Sequence, residues 1–154
     1  METIPVIDLT DWFNGSHSKR LEVARQLDEA CHTYGFLQVI GHGVDMGLRR
    51  NALAQMNAFF ELDLNRKSAA TPTDGSYRGY SGRKSESFAY TVGDIRPADL
   101  VEAFVIGSDD RPGEHASKLH THAANVWPDD MPEFRSIVSS YYHAARQLSE
   151  SIAD

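Results

Sequence analysis

The stretch Tyr34-Gly-Phe-Leu-Gln-Val-Ile-Gly-His-Gly-Val44 leaves its backbone few options. Upstream of it, Leu21, Ala24, Leu27, Cys31 and Tyr34 recur every three or four residues, the spacing of one buried helical face, with Ser18 placed to cap the start. Gly35 can then take the left-handed conformation that ends a helix at least cost, and Phe36 to Ile40 has the composition of a strand. Gly41 and Gly43, on either side of His42, mark a chain reversal. Helix, glycine stop, strand and turn follow in unbroken order, which points to an α+β fold.

The flanking segments extend this pattern. Ile4 to Leu9 reads as an edge strand, because Pro5 lacks a backbone donor and is tolerated at a strand's beginning. Asp11 to Ser18 supplies turn and cap residues. Asp45 is placed to cap a second helix with Leu48, Ala52, Leu53, Met56, Phe59 and Phe60 on one face and Arg49, Arg50, Asn51 and Asn57 opposite. From Thr71 to Gly93, glycine, serine and proline are interleaved with Tyr77, Tyr80, Phe88 and Tyr90, a texture of short strands and loops and the best candidate for a ligand-facing stretch. Asp99 to Ile106 reads as another strand, and residues 107–114 as a polar loop.

A last helix begins near Asp130-Met-Pro132 and carries Phe134, Ile137, Val138, Tyr141, Ala145, Leu148 and Ile152 on one stripe. The stripe is still in phase at Asp154, with no glycine, proline or basic last turn. So long an apolar face needs a surface to cover, and the expectation is a longer parent protein.

Charge and cysteine usage narrow the function classes. A formal net charge of -7 offers no clustered basic surface for a phosphate backbone, so nucleic acid is not expected as a partner. No run approaches the roughly 20 apolar residues of a membrane helix, and the first residues carry no secretory pattern. The single cysteine, Cys31, excludes an intramolecular disulfide, and its place on the apolar stripe predicts a buried thiol in a cytoplasmic protein.

Few residues offer chemistry. Arg78-Gly-Tyr80, with Phe88 and Tyr90 beyond it, sets a guanidinium fork and two phenols on a glycine-rich backbone, suited to orienting a carboxylate or a flat polar substrate. The alternative is a surface loop with its tyrosines packed beneath it. His42 could be a metal ligand, but its turn position favours chain reversal and local hydrogen bonding. His120-Thr-His122 is the one close histidine pair, and an unrelated metal hydrolase using both rings would need a third ligand that spacing does not identify. Cys31 and His32 diverge by about 100° around a helix and cannot pair as a nucleophile and base. Neither a Gly-x-Ser-x-Gly elbow nor a phosphate-binding loop is present.

Taken together, Ile4-Pro-Val-Ile-Asp-Leu9 and the Tyr34 to Val44 block resemble the amino-terminal region of the non-haem iron, 2-oxoglutarate-dependent oxygenases and their isopenicillin N synthase relatives. The Arg78-Gly-Tyr80 and Glu86-Ser-Phe-Ala-Tyr90 segments resemble the part of those enzymes that lines the substrate entrance, and Asn125-Val-Trp-Pro128 and Phe134-Arg135 resemble structural positions. The resemblance implies N-terminal helices and short strands, residues 1–114, flanking a double-stranded β-helix core, with residues 115–154 leading toward it. It implies Fe(II) and 2-oxoglutarate as cofactors of the intact parent and a small molecule as its substrate. In this family iron is held by two histidines and a carboxylate, the first pair as His-x-Asp or His-x-Glu, followed later by an Arg-x-Ser clamp. None of the seven histidines has an acid two residues on. The core is therefore expected to be largely absent, and the chain alone to bind neither cofactor and to lack activity. A non-catalytic binding or interaction module is the alternative.

Overall fold

The computed structural model describes residues 3–83, 100–109 and 123–153. The chain divides into two compact units, one formed by residues 1–45 with 147–154 and the other by residues 46–146. Its elements are helices and a few short strands, as the α+β expectation requires.

In the first unit, strand β1 (Val6–Asp8) pairs in parallel with β2 (Gln38–Ile40), Ile7 facing Val39. Parallel strands need a long crossover, which α1 (Thr10–Asn14) and α2 (His17–Tyr34) supply. The ladder is lengthened at its ends, where Gln38 N donates to Pro5 O at 2.9 Å and Leu9 N to Ile40 O at 2.8 Å. Ile7, Leu9, Val23, Leu27 and Ala30 form the buried core, with Trp12, Leu37, Val39, Leu148 and Ile152 packed against it.

Several details depart from the sequence reading. The stretch beginning at Asp11 is not only turn, because α1 occupies its first half, and α2 begins at His17 with Ser16 as its cap. The buried face of α2 is Val23, Leu27 and Ala30. Leu21 is 58% exposed and Cys31 is exposed, so the buried-thiol expectation is wrong. Two apolar stripes cross at Leu27, and the one carrying the small Ala30 packs with Ile7 and Leu9. The glycine stop stands: Gly35 has φ 75° and its N–H bonds Cys31 O.

In the second unit, α3 (Met46–Phe60) follows directly on Asp45 and buries Ala52 and Phe59, while Leu53 turns out to be exposed. A short helix that periodicity did not reveal, α4 (Leu64–Ser68), is capped by Asp63, whose side chain accepts from Arg66 N at 3.1 Å. Strands β3 (Gly79–Ser81) and β4 (Ala103–Val105) pair antiparallel, with Tyr80 opposite Phe104. Helix α5 (Phe134–Ala153) begins two residues after Pro132 and buries Phe134 and Val138. Phe59 is the hub of this core, with ring centroids 4.9 Å from Phe104, 5.5 Å from Phe134 and 5.8 Å from Tyr80. Such aromatic contacts add stabilisation of about 0.5–1.5 kcal/mol each beyond area burial.

Candidate functional site

The Gly-rich stretch after α4 becomes a loop that delivers β3. Asp74 accepts from Ser76 N at 2.9 Å in a side-chain-closed turn. Tyr80 N donates to Ala70 O at 2.9 Å, tying the strand back to the end of α4. Gly79 carries φ 114°, and a Cβ there would collide with the Ala70 carbonyl oxygen, so only glycine serves. Around this strand lies a cleft of about 250 Å3, with Thr71, Pro72, Tyr77, Ser81 and Val105 among its walls.

Of the four residues singled out for substrate contact, the described structure places two. Tyr80 contributes to the cleft wall, yet the residue is only 2% exposed and its hydroxyl donates to Glu102 Oε2 at 2.7 Å. Burial, reinforced by that hydrogen bond and the carboxylate's charge, pushes the Tyr80 phenol up to about 12. Arg78 is half-buried, its guanidinium lying where a side chain on Gly107 would otherwise project. Phe88 and Tyr90 lie outside the described residues, as do His120 and His122.

The carboxylate of Glu102 gathers what the sequence reading missed. Lys67 Nζ, on a residue only 8% exposed, donates to the same Oε2 at 2.7 Å and to Phe60 O at 3.2 Å. Arg83 approaches Oε1 at 3.8 Å. Hydrogen bonds from Lys67 and then Tyr80 hold the Glu102 carboxyl below the usual carboxylate range. One signal was available: Glu102 and Ile106, flanking β4, alternate with Phe104 on one side of the extended chain, where an acid among apolar residues must find a partner. Nearby, Asn125 bonds Gly107 twice, accepting from its N–H and donating to its carbonyl, each at 2.9 Å.

His42 behaves as its turn position suggested. Gly41 and Gly43 have φ 63° and 75°, and His42 Nδ1 accepts from Val44 N at 3.1 Å, which occupies one ring nitrogen locally. Among the described residues no group of three or more His, Cys, Asp or Glu side chains converges as a metal site. The described residues therefore do not fit a two-histidine, one-carboxylate iron centre. Among them, too, no helix is long and apolar enough to cross a membrane.

A family model described as non-haem dioxygenase in morphine synthesis N-terminal matches residues 4–130. A 2-oxoglutarate-dependent dioxygenase of Aspergillus niger is 32% identical, the alignment covering 98% of this chain and 46% of that protein. Validamycin A dioxygenase of Streptomyces hygroscopicus is 30% identical, over 90% of this chain and 38% of its own length. A 2OG-Fe(II) oxygenase family protein of Caulobacter crescentus shares the fold with a TM-score of 0.78 at 24% identity, covering 99% of this chain and 47% of that one. A full-length Neurospora crassa protein solved in complex with alpha-KG gives a TM-score of 0.75 at 25% identity, covering 97% and 44%. The chain spans a little under half the length of the relatives it matches.

Proposed function

The chain belongs to the family of non-haem dioxygenase N-terminal regions, and on that premise we propose that it forms the amino-terminal, substrate-side part of an Fe(II)- and 2-oxoglutarate-dependent oxygenase acting on a small molecule in the cytoplasm. The observation that carries this reading is the match over residues 4–130, which takes in both the Gly41-His42-Gly43 turn and the β3–β4 cleft. In the intact protein, the double-stranded β-helix core would hold iron and 2-oxoglutarate, whose oxidative decarboxylation supplies the oxidising power.

Among the described residues no three His, Cys, Asp or Glu side chains converge as a metal site, and in this reading their part is to shape the approach to the centre. Arg78, Phe88 and Tyr90 are the proposed substrate contacts. Tyr80 belongs with them, but its hydroxyl is engaged by Glu102, so its contribution is a ring edge and a fixed backbone rather than a free phenol. In this reading the 154-residue chain alone binds neither iron nor 2-oxoglutarate and releases no succinate.

Two measurements test the proposal. Stoichiometric Fe(II) binding with succinate release by the purified chain would place catalysis within it and overturn the division of labour. Grafting residues 71–109 into the corresponding segment of validamycin A dioxygenase should change substrate KM while leaving substrate-free decarboxylation of 2-oxoglutarate intact; an unchanged KM defeats the substrate-side assignment.

A second reading, a non-catalytic interaction module, draws on exposed apolar side chains, with Leu100 at 74%, Val101 at 66% and Leu64 at 64%. A monodisperse monomer without a partner would count against it.

A further inference from the structure

In the first unit, α1 and the first turns of α2 border an open groove of about 580 Å3 lined by Trp12, Phe13, Leu21 and Ala24, with Ser151 of α5 at its side. Phe13 is 40% exposed and Leu21 58%, so the apolar lining is accessible to solvent. Arg20 and His17 line the same groove. Neither side chain has a hydrogen-bond or ion-pair partner among the described residues.

The adjoining acids are already engaged. Lys19 Nζ holds both carboxylate oxygens of Asp11, at 3.0 and 3.1 Å. Glu22 accepts from Arg25 at 2.7 and 3.1 Å and from Gln26 at 3.1 Å. Among the described residues the Arg20 guanidinium, able to grip a carboxylate with two parallel donors, is thus left uncompensated beside an apolar wall. In a molecule of formal net charge -7, that is a local reversal of sign.

We propose that this groove binds a small amphipathic carboxylate, an acid whose flat apolar body lies on Trp12, Phe13 and Leu21 while its carboxylate meets Arg20 and His17. The volume falls within the range of about 300–1,000 Å3 typical of small-molecule sites, and a mostly apolar lining with a few convergent polar groups is how such sites are built. Charge complementarity selects an anion over a neutral or cationic ligand. The site lies wholly in the first unit and does not depend on the oxygenase reading of the β3–β4 cleft.

The test is a titration of the full 154-residue chain with 2-naphthoate and, separately, with the uncharged 2-naphthylmethanol, followed through the two tryptophan indole N–H resonances. The naphthoate should shift the Trp12 resonance saturably and bind about fivefold tighter than the alcohol, the advantage of one exposed charge pair. Arg20→Gln should erase that difference while the alcohol's affinity stays unchanged, and Leu21→Ser should weaken both probes. Both positions are exposed, so neither variant threatens folding. Equal affinity of the natural chain for both probes, shifts confined to Trp127, or capture of an acidic amphipathic peptide with neither probe bound would each overturn the proposal.

Discussion

The ammonium of Lys67 sits 2.7 Å from Glu102 Oε2, a pair joined across 35 residues of sequence with side chains only 10% and 18% exposed. Two charges so poorly solvated persist because each has further partners: the Phe60 carbonyl for Lys67, and Tyr80 and Arg83 for Glu102. Removing one member leaves the other with a desolvation cost and no compensation.

Glu102→Ala should therefore destabilise the second unit by about 3 kcal/mol, since it strands both the ammonium and the Tyr80 hydroxyl. Lys67→Met combined with Glu102→Gln should cost clearly less than the sum of the two single changes. Denaturant unfolding followed by Trp127 fluorescence measures both, and simple additivity would show that the pair does not act as a unit.

The same network sets a pH response at both ends of the scale. Glu102 titrates below its ordinary range when folded, so the stability it contributes is present above the unfolded carboxylate value and is lost as pH falls through the folded one. Tyr80 moves the other way, from 10.0 to about 12, so its contribution is intact below pH 10 and is lost as pH rises toward 12. That loss amounts to about 2–3 kcal/mol. Unfolding free energies of the natural chain and of Tyr80→Phe, measured by denaturant titration at a series of pH values, should converge across this window.

Glycine replacements should separate steric from conformational cost. Gly79→Ala meets both a collision with the Ala70 carbonyl and an unsuitable φ of 114°, and should cost about 2–4 kcal/mol. Gly43→Ala, at φ 75° with open space around the new methyl, should cost only about 1–2 kcal/mol. Comparable losses measured by thermal unfolding would mean that the approach to Ala70 relaxes freely.

His42→Ala removes one acceptor from a turn and should lower stability by about 0.5–1.5 kcal/mol. Introduced at the matching position of an intact relative, the change should leave iron stoichiometry unaltered. Metal analysis decides the matter, and loss of iron would restore His42 as a ligand.

Cys31, exposed on α2, should react with an aromatic disulfide reagent in the native chain at a rate within about tenfold of the unfolded one. A native rate slower by several orders of magnitude would return the thiol to the interior.

What the sequence could reveal follows from the range of the forces involved. Helices α3 and α5 were readable because their apolar spacing is local, and Gly35 because its left-handed stop depends only on its own backbone. The phase of α2 was not, since two stripes cross at Leu27 and only packing with Ile7 and Leu9 chooses between them. Lys67 was likewise hidden in a polar run, its burial set by a carboxylate far along the chain. At the candidate site, the sequence singled out the stretch that carries Tyr80, whereas the withdrawal of its hydroxyl into a hydrogen bond required tertiary structure.

Leu148 and Ile152 pack on the cluster built from Ile7, Leu9, Val23, Leu27 and Ala30. During synthesis those five residues leave the ribosome first, and their helical covering follows much later in the sequence. A nascent polypeptide halted anywhere before Leu148 thus displays an uncapped apolar face, a natural target for chaperones and proteases. In this unit the order of translation therefore opposes the order of packing.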